Sequence, residues 1–398
     1  FGYALIWALI FSTVACFVLQ EASARLTAAS GNSLGEVMAE RYSNTIAGKM
    51  LNYLALVAIL SGCAAFETGN ILGAVAGVSL VSELPNALII LSIVLISFLL
   101  LWFGTVTSIA KALGAVVAFM GFCFISTAIL IPQDPFEILS SAFNLSIPDG
   151  AELLVLGLIG TTVVPYNIFL GSGLKHSQTQ PEMRISLLIA IGLGGLVSVA
   201  VLLTGSAISG TFTFESLSGA LEDRLGTWAG WLLGLGLFGA GLSSTLTAAL
   251  AASVTAKSIL EKNSRPGTWN EKGKRFRGIW IAVLLTGLMF GILGLRPIPV
   301  IILAQALNGI ILPVIAVILF ILINNKEVLP AKYRNGKIYN LFTALVVYIS
   351  ILIGINNLMR AVSSTAGFTV AGQQTTFIIS VIVFALFLRP LLKAKRQE

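Results

Sequence analysis

The chain has 398 residues, 57% of them hydrophobic and 10% charged, at a mean hydropathy of +0.95. So little polar surface excludes a soluble globular domain and describes a polytopic membrane protein. The net charge of +7 does not point to nucleic acid, because the basic residues stand at the ends of apolar runs and form no face interleaved with aromatics.

Apolar runs near or beyond the roughly 20 residues that cross a bilayer are predicted as spans at about 2–26, 50–80, 86–103, 106–131, 152–174, 185–209, 227–256, 277–294, 298–323, 338–358 and 370–392, eleven in all. The chain opens inside an apolar run at Phe1, and a further span is expected before it, giving twelve. The connections are short, the longest being the polar loop near 257–276, so one transmembrane domain covers 1–398. If the first span runs inward, one side of the membrane holds Arg25, Arg41, Lys49, Lys111, Lys175, Arg184, the cluster from Lys257 to Arg277, the cluster from Lys326 to Lys337, and Arg389 to Arg396. Only Arg224, Arg296 and Arg360 fall on the other, three of 24 basic residues. The positive-inside rule then makes the basic loops and the C-terminus cytoplasmic.

Taken in chain order, the spans carry few polar groups. Glu21 and Arg25 are four apart on one helix face near a cytoplasmic end, spacing that predicts a structural pair. Glu67 is the one carboxylate near the middle of a span, where ionisable groups are costly and mark function. It reads as a proton or cation relay, or as a protonated acid bonded to a neighbouring helix. Gly69, Gly73 and Gly77 recur every four residues beside it and predict a flat stripe for close helix approach. In the fifth span, Gly160-Thr161-Thr162-Val163-Val164-Pro165-Tyr166-Asn167 interrupts the apolar run. Pro165 has no N–H and clashes with the carbonyl one turn back, so the carbonyls near Thr161 and Thr162 lose their partners. Irregular backbone at that depth suits a cation site against a polar cavity; a packed proline kink fits the same residues.

His176 reads as a solvated loop residue beside Lys175. The seventh span holds Ser243, Ser244, Thr245 and Thr247, hydroxyls that in membrane helices often bond their own backbone. The ninth holds Gln305 and Asn308, two amides expected to turn together toward the broken fifth span, just before Pro313. Cys16, Cys63 and Cys123 lie within spans with no CxxC and read as small hydrophobes. There is no HExxH, GxSxG or P-loop, so metalloprotease, serine hydrolase and ATP-driven pump lack their minimal chemistry.

Over nearly its whole length the chain resembles the NRAMP divalent-metal transporters, which have the LeuT-type inverted-repeat architecture. The family's Met-Pro-His, Asn and Leu-His-Ser segment is similar to Val164-Pro165-Tyr166-Asn167 and Leu170-Gly171-Ser172. Its Ala-Gly-Gln-Ser-Ser-Thr-Leu-Thr matches Ala240-Gly241-Leu242-Ser243-Ser244-Thr245-Leu246-Thr247, the most specific of the correspondences. The family's Gln and Glu resemble Gln305 and Glu67, and Leu19 to Glu40 resembles its second helix and following loop. The family's Asp-Pro-Gly-Asn helix is absent from this chain. Its metal-binding carbonyl falls on Thr161 and its thioether ligand on Val164, which cannot coordinate. Its histidines become Tyr166 and Gly171, and an acidic residue one turn before Glu67 becomes Ala64. The resemblance therefore implies an oxygen-rich site suited to hard ions such as Mg²⁺ or Mn²⁺, weakened proton coupling, and kinship with a divergent NRAMP-related branch.

The expected protein is an all-α secondary carrier or facilitator of divalent cations working by alternating access, neither an enzyme nor a cofactor protein. Its metal site is expected at Thr161, Val164, Tyr166, Asn167, Gln305 and Asn308, with Glu67 as relay. Residues 1–131 would be the remainder of the first repeat, 152–323 the second, and 338–392 peripheral helices, all in a lipid bilayer, the bacterial inner membrane. Two other readings stay open. One is a LeuT-fold carrier of amino acids or other organic solutes, for which the hydroxyls from Ser243 to Thr247 can serve a sodium site. The other is a membrane sensor or scaffold without flux.

Overall fold

Each long apolar run folds as a helix because hydrocarbon leaves every backbone N–H and C=O to be satisfied within its own segment. A computed structural model describes residues 1–104, 106–173, 179–208, 210–264, 267–294, 296–366, 375 and 377–386. Lys175, His176, Arg265, the ends of the eleventh expected span and Arg389 to Arg396 lie outside the described residues, as do the side chains of Lys111 and Arg360. In chain order the helices are α1 (Ile6–Ser30), α2 (Leu34–Tyr42), α3 (Ile46–Ser79), α4 (Asn86–Phe103), α5 (Val106–Leu130), α6 (Pro135–Phe143), α7 (Glu152–Thr162), α8 (Pro165–Gly173), α9 (Gln180–Ser206), α10 (Phe214–Leu225), α11 (Trp228–Leu260), α12 (Lys274–Ile292), α13 (Pro297–Ile323) and α14 (Lys337–Ala366).

Eight of the described spans, counting Glu152–Gly173 as one, are long and apolar enough to cross a membrane. α5 and α13 occupy the fourth and ninth expected spans, and an apolar helical stretch, Phe377–Leu386, lies in the eleventh. Three short helices were not expected from hydropathy. The signals for them are local: Ser33 and Glu36 form a capping box at α2, Thr213 and Ser216 one at α10, and Asp134 caps α6 ahead of Pro135.

The order α1–α2–α3 is repeated as α9–α10–α11: a span, a short capped helix, then a long span of 34 or 33 residues. Helices in equivalent places pack on each other, α1 on α9, α3 on α11 and α4 on α12, the pairing that a two-fold relation between repeats produces. α3 is the central element, touching α2, α4, α8, α11, α12 and α13.

The α3–α11 crossing is built on missing side chains. A Cβ on Gly77 would stand 2.5 Å from the Gly234 carbonyl oxygen, one on Gly234 would stand 2.8 Å from that of Gly77, and one on Gly241 2.6 Å from the Asn70 carbonyl oxygen. Gly77 thus lies at Gly234 and Asn70 at Gly241, so the two helices run antiparallel. The expected single stripe is corrected here. Only Gly77 meets α11, while Gly69 faces Ile301 and Ala304 of α13 and Gly73 has open space beside it. Four residues advance a helix by about 40° beyond a full turn, so the two steps from Gly69 to Gly77 sweep from one neighbour to the next.

Candidate functional site

The break lies at Val163 and Val164. Val163 leaves the helical region at φ −97°, ψ 76°, although its N–H still reaches the Ile159 carbonyl at 2.8 Å. Pro165 opens α8, a first helical position where its missing N–H is not needed; the same lack deprives the Thr161 carbonyl of its donor four residues on. The Thr161 side chain is exposed, whereas the Thr162 hydroxyl is engaged with the Leu158 carbonyl at 2.9 Å.

Gly157, one turn before Thr161, borders α13: a Cβ there would stand in ordinary contact, 3.8 Å from Cβ of Gln305. Gln305 is therefore held beside the broken helix, with its Oε1 buried and unpartnered. Asn308 does not share that direction. It is 1% exposed, its Oδ1 lies 2.6 Å from where a Gly62 Cβ would be on α3, and its Nδ2 has no partner. Three residues along a helix turn it about 300°, a net separation of about 60°, and α13 is wedged between α7 and α3, so Gln305 borders α7 while Asn308 borders α3.

The other expected residues divide in the same way. Tyr166 is buried and meets Phe66 of α3 edge-on, ring centroids 5.5 Å apart at 83°. Val164 is buried in the main apolar core. Asn167 turns to the opposite side, where with Gln20, Met183 and Ser186 it lines a cleft of about 310 Å³ between α1, α8 and α9. Thr161 thus stands just before the break with Gln305 beside Gly157 one turn earlier, Tyr166 and Asn308 address α3, which itself carries Glu67, and Asn167 stands apart.

Glu67 is fully buried with both carboxyl oxygens unpartnered, and its Cγ fills the place of a side chain on Gly287 of α12. Nearby, the Asn70 Nδ2 and Thr245 Oγ1 are also buried without a partner. Thr245 lies one turn beyond Gly241 on α11 and so faces α3 at the level of Glu67 and Asn70. Within the hydroxyl cluster, the Ser243 and Thr247 hydroxyls donate to the Ala240 and Ser243 carbonyls at 3.1 and 2.8 Å. What sets Thr245 apart in sequence is its four-residue spacing from the crossing glycine.

Cys16, Cys63 and Cys123 are buried and unpaired. Among the described residues no three His, Cys, Asp or Glu side chains converge as a metal-binding group. The donors available at the break are neutral oxygens from backbone and amide, a hard set that suits Mg²⁺, Mn²⁺ or Ca²⁺.

The natural resistance-associated macrophage protein-like family model matches residues 1–360. Among curated proteins, a divalent metal cation transporter, MntH, of Verminephrobacter eiseniae is 26% identical over 66% of this chain and 63% of its own length. A MntH of Deinococcus radiodurans is 25% identical over 83% of this chain and 77% of its own length. The chain spans less than two thirds of the first of these. Among solved structures, mutants of a manganese transporter of Eremococcus coleocola superpose with TM-scores of 0.69 and 0.70 at 18% identity, covering 99% of this chain and 87% of theirs. The likeness extends the repeated helix order into a shared LeuT-type fold. With a family match that reaches across the break, α3, α11 and α13, the chain belongs to the Nramp family.

Proposed function

We propose that this protein carries divalent metal cations, Mn²⁺ or Mg²⁺ among them, across a membrane by alternating access, with no enzymatic step and no cofactor. The observation that carries the reading is the break at Val163 and Val164 inside an apolar span, with the donor-deprived Thr161 carbonyl just before it and the unpartnered Gln305 Oε1 of α13 beside Gly157, one turn earlier on the same helix. Free oxygens at that depth are retained only where something binds them. Relatives that are named for divalent metal transport support the substrate class.

In this reading the Thr161 carbonyl and Gln305 bind the ion directly or through retained water, which suits Mg²⁺ because it dehydrates reluctantly. Tyr166, Asn167 and Asn308 shape the surrounding walls, and Val164 denies soft metals a sulfur. Glu67 is the relay between α3, α11 and α12. Residues 1–131 and 152–323 act as the two repeats and 338–392 as periphery. The basic loops and C-terminus face the cytoplasm of a bacterial inner membrane, where the potential adds about 2.3 kcal/mol per elementary charge per 100 mV to inward movement.

The test is uptake by liposomes containing the natural full-length protein, with Mn²⁺, Mg²⁺, Cd²⁺ and a panel of amino acids as substrates, beside the shift each produces in melting temperature. Saturable divalent uptake with matching stabilisation is expected. Stabilisation and flux by an amino acid alone would refute the metal reading, and ligand stabilisation without any flux would assign a sensor.

A further inference from the structure

At the end of the bundle that carries the basic loops, three parts of the chain converge on one carboxylate. Glu21 of α1 is fully buried, as is Arg25 one turn on. The Glu21 Oε1 accepts from Arg25 Nε at 3.0 Å and from Arg184 Nε of α9 at 2.8 Å. Its Oε2 accepts from Arg25 Nε at 3.2 Å and from the Tyr339 hydroxyl of α14 at 3.2 Å. The Arg25 Nη1 donates to the Tyr333 carbonyl, in the connection between α13 and α14, at 2.5 Å. The structural pair expected from spacing is thus the centre of a five-residue hub reaching across more than 300 residues of sequence.

These contacts fall into two sets. α8, the half-helix that begins at the break, is stitched to α1: the Ser23 hydroxyl donates to the Ile168 carbonyl at 2.9 Å and the Thr27 hydroxyl to the Ser172 carbonyl at 3.1 Å. The Ser172 hydroxyl in turn accepts from the Leu34 N–H of α2 at 3.1 Å. With Arg184 gripping Glu21, α1, α8 and the start of α9 are bound as one unit. The Tyr333 and Tyr339 contacts leave that unit for the α13–α14 connection and the first turn of α14. Arg184 and Arg25 supply two positive charges to one carboxylate and lie with it inside this unit, whereas the tyrosine hydroxyl and the peptide carbonyl are neutral and exchangeable for water.

We propose that Glu21 is a positioning residue of the transport cycle, the hub of a latch whose Tyr339 and Tyr333 contacts hold the α1–α8–α9 unit, and with it the lower half of the broken helix, against the α13–α14 connection, and whose release opens the path on that side. The proposal rests on the alternating-access reading for its consequence in transport, but the latch itself is read without any ion.

The test places a reporter at Leu329→Cys, a fully buried position in the same connection, in the natural full-length protein; the native cysteines described here are all buried. Reaction with a water-soluble maleimide is followed with and without Tyr339→Phe, which removes one hydroxyl and keeps the ring. Tyr348→Phe on the same helix is the control, because the Tyr348 hydroxyl makes no hydrogen bond. Tyr339→Phe should speed labelling about tenfold, the size expected for one hydrogen bond to a charged group, while Tyr348→Phe leaves it unchanged. In Mn²⁺ uptake, Tyr339→Phe should change kcat more than KM, since no ligand is altered. Equal labelling of Tyr339→Phe and the control overturns the latch even if uptake is robust. Faster labelling in a protein with no metal flux keeps the latch and removes the transport reading. Glu21→Gln should exceed Tyr339→Phe in the same direction.

Discussion

Gly241→Ala tests the α3–α11 crossing that fixes the polar groups around Glu67. The added methyl would lie 2.6 Å from the Asn70 carbonyl oxygen and the Ala74 Cβ and 2.7 Å from the Ala74 nitrogen. Two of these are backbone atoms, which no rotamer change can move aside. Ordinary Cβ contacts begin near 3.4 Å, so the two helices must part by about 0.8 Å along a crossing that already buries Gly77 against Gly234. Overpacking of this kind costs about 1–3 kcal/mol. Replacing glycine by alanine within a helix also gains about 1 kcal/mol of propensity, and that gain is common to any helical glycine. Gly73→Ala is the matched reference, because Gly73 sits in the interior of the facing helix α3 with nothing within 4 Å of its missing Cβ. The propensity gains cancel between the two variants, leaving Gly241→Ala less stable than Gly73→Ala by about 1–3 kcal/mol. Thermal unfolding of the detergent-solubilised protein, followed by intrinsic tryptophan fluorescence, should show Gly73→Ala at or above the parent and Gly241→Ala below it. Equal melting temperatures would refute the backbone-limited crossing and with it the placement of Thr245 opposite Glu67.

Val164→Met introduces a thioether at the break and should raise Cd²⁺ affinity about tenfold, roughly 1.4 kcal/mol; isothermal titration showing strong Cd²⁺ preference in the unmodified protein would contradict the role given to Val164. Metal uptake should bring little proton movement, and what there is should vanish in Glu67→Gln, since its carboxylate is buried and unpartnered; a pH-sensitive dye inside liposomes that still reports robust acidification in Glu67→Gln would move the proton route elsewhere. Gln305→Ala removes an amide that bonds to no protein group through its Oε1, so flux should fall about tenfold or more while stability changes by about 1 kcal/mol or less; normal flux with a lowered melting temperature in the same preparation would assign Gln305 to structure.

Hydropathy alone determined that the chain is a bundle of membrane helices, because the span length is set by bilayer thickness and not by tertiary contacts. The break at Pro165 was legible for the same local reason: proline lacks an N–H wherever it stands. The short helices α2, α6 and α10 were missed because their signals are caps of a few residues that a hydropathy window averages away. Directions around a helix belonged to the tertiary structure. Gln305 and Asn308 share one helix, yet face α7 and α3 because α13 is wedged between them. Asn167 sits two residues from Pro165 and still turns toward α1 and α9, because α8 is stitched to α1 by Ser23 and Thr27. Glu21 and Arg25 formed the pair that their spacing predicts, since four residues make one helical turn. That the pair also holds Arg184, Tyr333 and Tyr339 depends on which helices fold against α1, and no local pattern in the sequence encodes contacts between segments more than 150 residues apart.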